Sequence, residues 1–375
     1  MTDKKAEILK QLEQGKITAD QALAMLNRQP NEPDRGPAPP PQPETNQENS
    51  QERHQDHYHR AHHSEVEPGW VESMFSWVGE TIQDFAEEIH DWDISANISD
   101  FMSGTYSSNK MREVFTSNPV MQGLAAVTVV GKNAKVEVQG YDGNCVRMEC
   151  VYNARRPDTK VYLHEENGRI ELVYDEKMIR SMNVLCHVPF TTIGELRIAT
   201  RNDTLKILDV NCTNLMAANR NASIKANTVT ATAVAMETTN DNIKLENVRA
   251  YNAILKTTNA RIHAEHADIS HLKMTTTNAG IKLKDSFFAT DSWTGERVIE
   301  AETTNAGISI FVPTDAALKL DAKTRSGSVS CQRDLYFTET AKTYLQGESS
   351  DYSFAGKKLN VSLKTTNASV KVKDM

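Results

Sequence analysis

Apolar residues in the second half of the chain recur in pairs two positions apart, and the pairs repeat about every five residues. A spacing of two places both members of a pair on one side of a β-strand. The whole pattern returns about every 19 residues, an interval typical of the coils of a stacked β-solenoid. We therefore predict a mainly β protein, a parallel β-solenoid with about 19-residue coils, each coil containing three short strands around a narrow core.

The tripeptide Thr-Thr-Asn, or a variant of it, marks each coil. Stacking places its asparagines at one corner of successive coils, where each side-chain amide can bond the amides above and below, about 4.8 Å away. We predict a structural asparagine ladder, and the left-handed backbone conformation that asparagine tolerates suits such a corner. The ladder consists of Asn202, Asn221, Asn240, Asn259, Asn278, Asn305 and Asn367, with a degenerate copy at Ser326.

The position four residues after these asparagines is basic in most coils, so stacking aligns a lysine stripe on the outer surface. The stripe is either a solvated face that blocks edge pairing or a docking strip for phosphate-rich polymers or anionic lipid head groups. Nucleic acid is not expected as a partner, because the formal net charge is −8 and no aromatic residues interleave with the lysines. The stripe consists of Lys206, Lys225, Lys244 and Lys282, with His263 and Lys371 at equivalent positions.

Residues 1–29 predict a hairpin of two short helices, separated by Gly15 and a capping box from Thr18 to Gln21. Two helices of about ten residues bury too little surface to be stable alone. We therefore expect this hairpin to dock on the rest of the chain, on a second copy or on another protein. The expected docking residues are Ile8, Leu9, Leu12, Leu23 and Leu26.

Residues 30–68 are rich in proline, glutamine and histidine and predict a disordered linker. We interpret the histidine run within it as a polar, low-complexity spacer, and the alternative is that the run binds Zn, Ni or Cu. We predict neither a metal nor any other cofactor. The weak candidate ligands are His54, His57, His59, His62 and His63.

Residues 69–95 predict an amphipathic helix whose apolar face includes Trp70, Phe85 and Trp92. The segment is acidic: residues 69–102 contain eight Asp and Glu and no Lys or Arg. We expect this helix to cap the open end of the solenoid or, as the alternative, to insert into a membrane or a partner.

The solenoid domain is predicted to span residues 96–375, with regular repeats over 199–375. Its first part continues as β structure without a clean period, and Asp142-Gly143 and Asn167-Gly168 are dipeptides of the hairpin type. Aromatic residues between Ser326 and Asn367 are expected to seal the far end or to form a side hairpin.

The chain contains no P-loop, GxGxxG, GxSxG or HExxH motif, and we predict that it is not an enzyme. Asp203 and Asp241 lie two coils apart, about 10 Å by strand spacing, at the upper limit for an inverting glycosidase pair. A polysaccharide-active enzyme therefore remains the last alternative. The cysteines are odd in number and form no CxxC pair, so we predict reduced, buried thiols of a cytosolic protein; they are Cys145, Cys150, Cys186, Cys212 and Cys331.

Two sequence stretches resemble a known family. The opening Lys5-Ala6-Glu7-Ile8-Leu9 is similar to the N-terminal domain shared by the YvlB and LiaX proteins of Gram-positive bacteria. The phrase Thr-Thr-Asn-Ala-Gly-Ile, at residues 276–281 and 303–308, resembles their candidate-adhesin β-strand-repeat domain. The resemblance implies a role in the cell-envelope stress response, a phage-shock-type membrane protein or another envelope-stress regulator as partner, and resistance to cationic antimicrobial peptides. It implies no catalytic residue.

The leading hypothesis is a non-enzymatic interaction protein in which the solenoid is the platform and the hairpin docks a partner or a second copy. The alternative is an adhesin-like surface binder of anionic envelope glycopolymer or lipid, and an acidic surface such as residues 80–93 can also attract cationic peptides. Residues 1–12 lack the apolar core of a secretory signal, and no apolar run approaches roughly 20 residues. We therefore expect a cytoplasmic, peripherally membrane-associated protein, with non-classical export to the cell surface as the alternative.

Overall fold

The computed structural model describes residues 109–286 and 294–375, which form 22 β-strands in one continuous hydrogen-bonded sheet and one 3-10 turn. This part of the chain is therefore mainly β, as predicted. The strands are β1 (Asn109–Pro119), β2 (Ala126–Gly131), β3 (Ala134–Tyr141), β4 (Cys145–Ala154), β5 (Val161–Glu166), β6 (Arg169–Tyr174), β7 (Ile179–Pro189), β8 (Ile193–Thr200), β9 (Leu205–Ala218), β10 (Ile224–Thr238), β11 (Ile243–Thr257), β12 (Ile262–Glu265), β13 (Asp268–Thr275), β14 (Ile281–Lys284), β15 (Gly295–Glu302), β16 (Ile308–Val312), β17 (Ala317–Thr324), β18 (Val329–Cys331), β19 (Tyr336–Ala341), β20 (Tyr344–Glu348), β21 (Lys357–Thr365) and β22 (Val370–Asp374).

The regular coils stack in parallel, and each residue lies beside its equivalent one repeat away: Ile224 of β10 is flanked by Ile243 of β11 and Leu205 of β9. Three short strands are predicted for each coil, but the coils of β9, β10 and β11 each contain one long strand of 14 or 15 residues. These long strands remain continuous because the parallel register resumes directly after each skipped residue. The next coil contains two strands, β12 and β13. Side chains at alternate positions point inward and form an aliphatic core.

In five coils the chain bends seven residues after the ladder asparagine, at a residue in the left-handed region. The ladder asparagines themselves do not have positive φ, so the expectation that the Thr-Thr-Asn corner uses this conformation is wrong. The neighbouring strand register skips the bend residue, which turns the chain toward its second segment. The bend residues are Asp209 (φ 56°), Thr228 (55°), Asn247 (53°), His266 (51°) and Asp285 (44°).

Chain order and stacking order differ at both ends of the coil stack. The last coil, β21 and β22, lies between the coil of β15 and β16 and that of β17 and β18. Likewise β2 and β3 lie between β6 and β7 on one side and β8 and β9 on the other. At each end, one layer of the stack is therefore formed by strands that are not the next ones in the sequence. The number of sequence repeats alone does not predict this order.

Antiparallel strands complete the stack. Asn167-Gly168 joins β5 to β6 with φ of 50° and 77°, which confirms the predicted hairpin turn. Asp142-Gly143 joins β3 to β4, but these strands do not pair, because β3 is occupied on both edges by β7 and β9. The hairpin expected there is wrong. Within residues 109–286 and 294–375, no helix is long and apolar enough to span a membrane.

The aromatic insertion forms a side hairpin rather than a seal. β19 and β20 pair with each other, and β20 also pairs with β17. Tyr336 and Phe354 retain 72% and 79% of their surface in contact with solvent. These rings therefore contribute little to the core.

The five cysteines form no disulfide among the described residues, and Cys150, Cys186 and Cys212 are buried in the core as predicted. Burial raises the pKa of Cys150, Cys186 and Cys212 to about 12, because the thiolate would lose its hydration. Cys145 and Cys331 are half-buried. The buried thiols are packing residues rather than nucleophiles.

Candidate functional site

The asparagine side chains of successive coils form an unbroken hydrogen-bonded ladder. Each Nδ2 donates to the Oδ1 of the asparagine in the preceding layer at 2.6–2.8 Å. The ladder begins at Asn133, which the sequence analysis does not include, and continues through Asn202, Asn221, Asn240, Asn259, Asn278, Asn305 and Asn367. Val136 and Val138 follow Asn133 at the same spacing of three and five residues, which is the sequence signal for this layer.

The first threonine of each tripeptide points inward beside the ladder. Thr238, Thr257 and Thr276 are almost fully buried, and each hydroxyl donates to a carbonyl 16 residues earlier at 3.1–3.3 Å. These bonds satisfy the polar hydroxyls inside an otherwise aliphatic core. The corner is therefore a structural device that leaves the outer faces of the coils free to vary.

The stripe lysines occupy one register position on the outer side of the strands that follow the ladder, which we call the lysine face. Lys206 lies beside Lys225, and Lys225 lies beside Lys244. Two of these cations have carboxylate partners: Lys206 is 3.4 Å from Glu137 and Lys244 is 2.8 Å from Glu246. Half of the predicted stripe is therefore already paired with acidic side chains.

The centre of the lysine face has a mixed charge. Glu265 accepts from His263 at 3.4 Å and from Lys284 at 3.3 Å. Both contacts lower the pKa of the Glu265 carboxyl, and the contact with His263 has the larger effect. Asp285 and Glu265 in turn raise the pKa of Lys284. Such exposed pairs contribute little to stability, but they reduce the positive potential of this part of the face.

The far end of the lysine face is different. Lys282 of β14 and Lys371 of β22 lie on either side of Ser309 in β16. Lys373 lies beside Phe311 of β16, with its Nζ 5.5 Å from the ring centre. We call Lys282, Lys371 and Lys373 the lysine cluster. Within residues 109–286 and 294–375 none of the three forms an ion pair with a carboxylate.

Lys373 and Phe311 are missing from the predicted stripe. The signal for them is present, because lysine stands both four and six residues after Asn278 and again after Asn367. Both positions point outward on a strand. Lys282 and Lys371 are two strand spacings apart, about 10 Å. The arrangement can bind an extended anion or several neighbouring anionic groups, with Phe311 offering an apolar contact.

A second basic surface lies at the opposite end of the stack, where a groove of about 620 Å³ is lined by Lys110, Arg112 and Lys135. Two carboxylates share this groove: Glu149, which pairs with Arg112 at 3.2 Å, and Glu137. The charges there largely cancel, so the lysine cluster is the better anion site.

The remaining predicted site residues divide into two groups. Asp241 accepts from the backbone N–H of Asn242 at 2.7 Å, so its carboxylate stabilises its own turn, while Asp203 occupies the equivalent turn two coils away. Two predicted sets lie outside the described residues. They are the docking residues Ile8, Leu9, Leu12, Leu23 and Leu26 and the histidines His54, His57, His59, His62 and His63. Across residues 109–286 and 294–375 no group of three His, Cys, Asp or Glu side chains converges as a metal site.

Several solved structures are similar to this chain over nearly their whole length and over about 70% of this chain. A candidate adhesin from Parabacteroides distasonis ATCC 8503 matches at 8% identity and a TM-score of 0.39, over 72% of this chain and 98% of its own. A candidate adhesin from Bacteroides fragilis NCTC 9343 matches at 11% identity and 0.37, over 71% and 98%. A candidate lipid-binding protein from Parabacteroides distasonis ATCC 8503 matches at 10% identity and 0.37, over 71% and 95%. No curated protein matches the chain.

The sequence pattern of the DUF4097 (Toastrack) family matches residues 131–373, more than half of the chain. This range contains the whole asparagine ladder, from Asn133 to Asn367, and the lysine cluster. The chain therefore belongs to the DUF4097 (Toastrack) family.

Proposed function

We propose that this chain is a non-enzymatic interaction protein of the bacterial cell envelope. Its Toastrack domain binds an anionic glycopolymer or anionic lipid head groups through the lysine cluster. The observation that carries this proposal is the contrast along the lysine face: among the described residues, Lys282, Lys371 and Lys373 form no ion pair with a carboxylate, whereas Lys206 and Lys244 do.

The physical basis is electrostatic attraction over a rigid spacing. Parallel strands hold Lys282 and Lys371 in register with Ser309 between them. A polymer with regularly spaced phosphates, or a membrane surface, presents several anionic groups at once, so each lysine adds to one binding event. Each lysine near an anionic surface contributes about 1 kcal/mol. The three together account for an affinity change of about 100-fold.

The direct test is sedimentation of the full chain with vesicles containing phosphatidylglycerol. The cluster variant Lys282→Gln/Lys371→Gln/Lys373→Gln is expected to bind about 100-fold more weakly. The matched control Lys206→Gln/Lys244→Gln removes two lysines of the same face that have acidic partners, and it should bind within a few-fold of the unmodified chain. Equal losses in both variants, or a loss in neither, would remove the cluster from the proposal.

A role in envelope-stress signalling is the second candidate, and it rests on the similarity of residues 1–29 to the N-terminal domain of YvlB and LiaX proteins. In this proposal the hairpin engages a phage-shock-type membrane protein or a second copy, while the Toastrack domain contacts the envelope or a cationic peptide. Deletion of residues 1–29 should abolish induction of the stress response. An unchanged response would count against the proposed role of the hairpin.

The location proposed for the protein is the cytoplasmic face of the membrane, with the cell surface after non-classical export as the alternative. Proline-rich residues 30–68 are a suitable cleavage segment for an added protease. Protection in intact cells together with recovery in the membrane fraction would support the inner face. Cleavage in intact cells would support the surface location.

A further inference from the structure

The coils have a second outer face with a different composition. In the second segment of β8 to β11, inward residues such as Leu215 and Val234 alternate with outward residues, and six of the outward residues are also apolar. We call these outward residues the apolar patch. It consists of Ala199, Met216, Ala218, Ala233, Ala235 and Ile254, and it continues to Val130 of β2.

The apolar patch is largely buried although it points away from the core. Ala235 is 0% exposed and Met216 is 6% exposed. Ser362 occupies the same outward row four strands along and is similar in size to alanine, yet it is exposed. The position alone therefore does not bury a small side chain. Among the described elements, β10 packs against β9 and β11, which lie beside it in the sheet and not above it.

We propose that the apolar patch is the docking surface for this chain's own residues 69–95. Their expected helix presents Trp70, Phe85 and Trp92 on one apolar face. At 1.5 Å per residue this helix is about 40 Å long. Four strands at 4.8 Å spacing require about 14 Å. The helix is therefore long enough to cover the patch completely.

Charge complementarity favours this segment over other occupants. Arg201 and Arg220 follow Ala199 and Ala218 by two residues at the edge of the patch. The other basic residues beside the patch have acidic partners: Arg197 pairs with Glu195 at 2.7 Å and Lys256 with Glu237 at 2.8 Å. Residues 69–102 contain eight acidic residues and no basic one.

The length of chain before β1 also permits this docking. The segment that joins residue 95 to Asn109, where β1 begins, spans up to about 46 Å when extended. The helix can therefore reach the side of the coils, whereas the sequence alone favours docking on their open end.

The test uses the full chain with a protease site inserted between residues 96 and 108. After cleavage, the N-terminal fragment should co-elute with the coils in gel filtration as a one-to-one complex. Release of the fragment from the otherwise unmodified protein would overturn the proposal. Another occupant, such as residues 287–293 or a second copy, would then have to cover the patch.

Substitutions on both sides locate the contact. The double substitution Ile82→Glu/Phe85→Glu changes the apolar face expected for residues 69–95 and leaves the coils unchanged, so it should release the fragment. Gln83→Glu, in the same segment, should not release it. Ala235→Glu should release it as well, and Ser362→Glu in the same row outside the patch is the matched control. Retention of the fragment by both Ala235→Glu and Ile82→Glu/Phe85→Glu, or equal release by Ser362→Glu, would place the contact elsewhere and overturn the proposal.

Discussion

The two outer faces of the coils differ in chemistry although the same strands build both. In β10, Lys225 on the lysine face is exposed, whereas Ala235 on the apolar patch is fully buried. The inward positions of the same strand, such as Ile224 and Val234, are uniformly aliphatic. The repeat therefore constrains the interior and the corner, while each outer face is free to acquire its own partner.

The lysine face itself changes along the stack in the same manner. Its first part contains the pairs of Lys206 with Glu137 and Lys244 with Glu246, and its far end contains the lysine cluster around Phe311. A repeat thus provides similar geometry at each layer, and substitutions at outward positions decide the charge of each layer.

The largest expected effect comes from a charge placed on each face of one coil. Ala235→Glu should lower the free energy of unfolding by about 3 kcal/mol, because a carboxylate would lose hydration in the covered patch. Lys225→Glu should change it by less than about 0.5 kcal/mol. Urea denaturation measures both, and equal effects of the two substitutions would contradict the difference between the faces.

Removal of one ladder amide should have the next largest effect. Asn240→Ala breaks the bonds to Asn221 and Asn259, each 2.7–2.8 Å long. At about 1 kcal/mol per hydrogen bond, the expected loss of stability is about 2 kcal/mol. Thr230→Ala, at an exposed position of β10, should cost less than about 0.5 kcal/mol. A neutral Asn240→Ala would show that the ladder does not stabilise the corner between the faces.

The bend residue opposite the ladder offers a smaller, reciprocal test. Thr228 is β-branched and has φ of 55°, a conformation that asparagine tolerates better. Thr228→Asn should raise the free energy of unfolding by about 0.5–1 kcal/mol. At the equivalent position of the next coil, Asn247→Thr should lower it by a similar amount. Changes of the same sign in both variants would exclude the backbone explanation.

The pH dependence of the mixed-charge centre is the smallest effect. Because the folded-state pKa of Glu265 is lowered, its contribution to stability is present above the ordinary carboxyl pKa. It is lost as the pH falls through the lowered value. Since these groups are exposed, Glu265→Gln should flatten the acid limb of the stability profile only slightly. A large change on the alkaline side would contradict this assignment.

The interior of the coils could be predicted from the sequence because burial imposes a strict alternation and a fixed repeat length. The positions of Asn202 to Asn278 follow directly from that repeat. The return of β21 and β22 between earlier strands could not be predicted, since strands that pair with either neighbour carry the same apolar pattern. The bend at Thr228 could not be predicted either, because the positive φ of this residue is imposed by the coil and is not a preference of threonine.

The lysine cluster could be predicted only in part. Lys282 lies in the regular repeat, but its proximity to Lys373 and Phe311 depends on β22 pairing with β16, which is distant in the sequence. The burial of Ala233 and Ala235 could not be predicted either, since alanine occurs on both the inward and the outward side of a strand. Long-range strand order therefore decides which residues form the lysine cluster, whereas the strands of the apolar patch stack in chain order.

The most direct test of the account is the salt dependence of binding to inorganic polyphosphate. The full chain, the cluster variant Lys282→Gln/Lys371→Gln/Lys373→Gln and the control Lys206→Gln/Lys244→Gln would be titrated between low and physiological salt. The account predicts that binding of the full chain and of the control weakens steeply and in parallel with salt, whereas the cluster variant binds weakly and almost independently of salt. A cluster variant with the affinity and salt dependence of the full chain would contradict it.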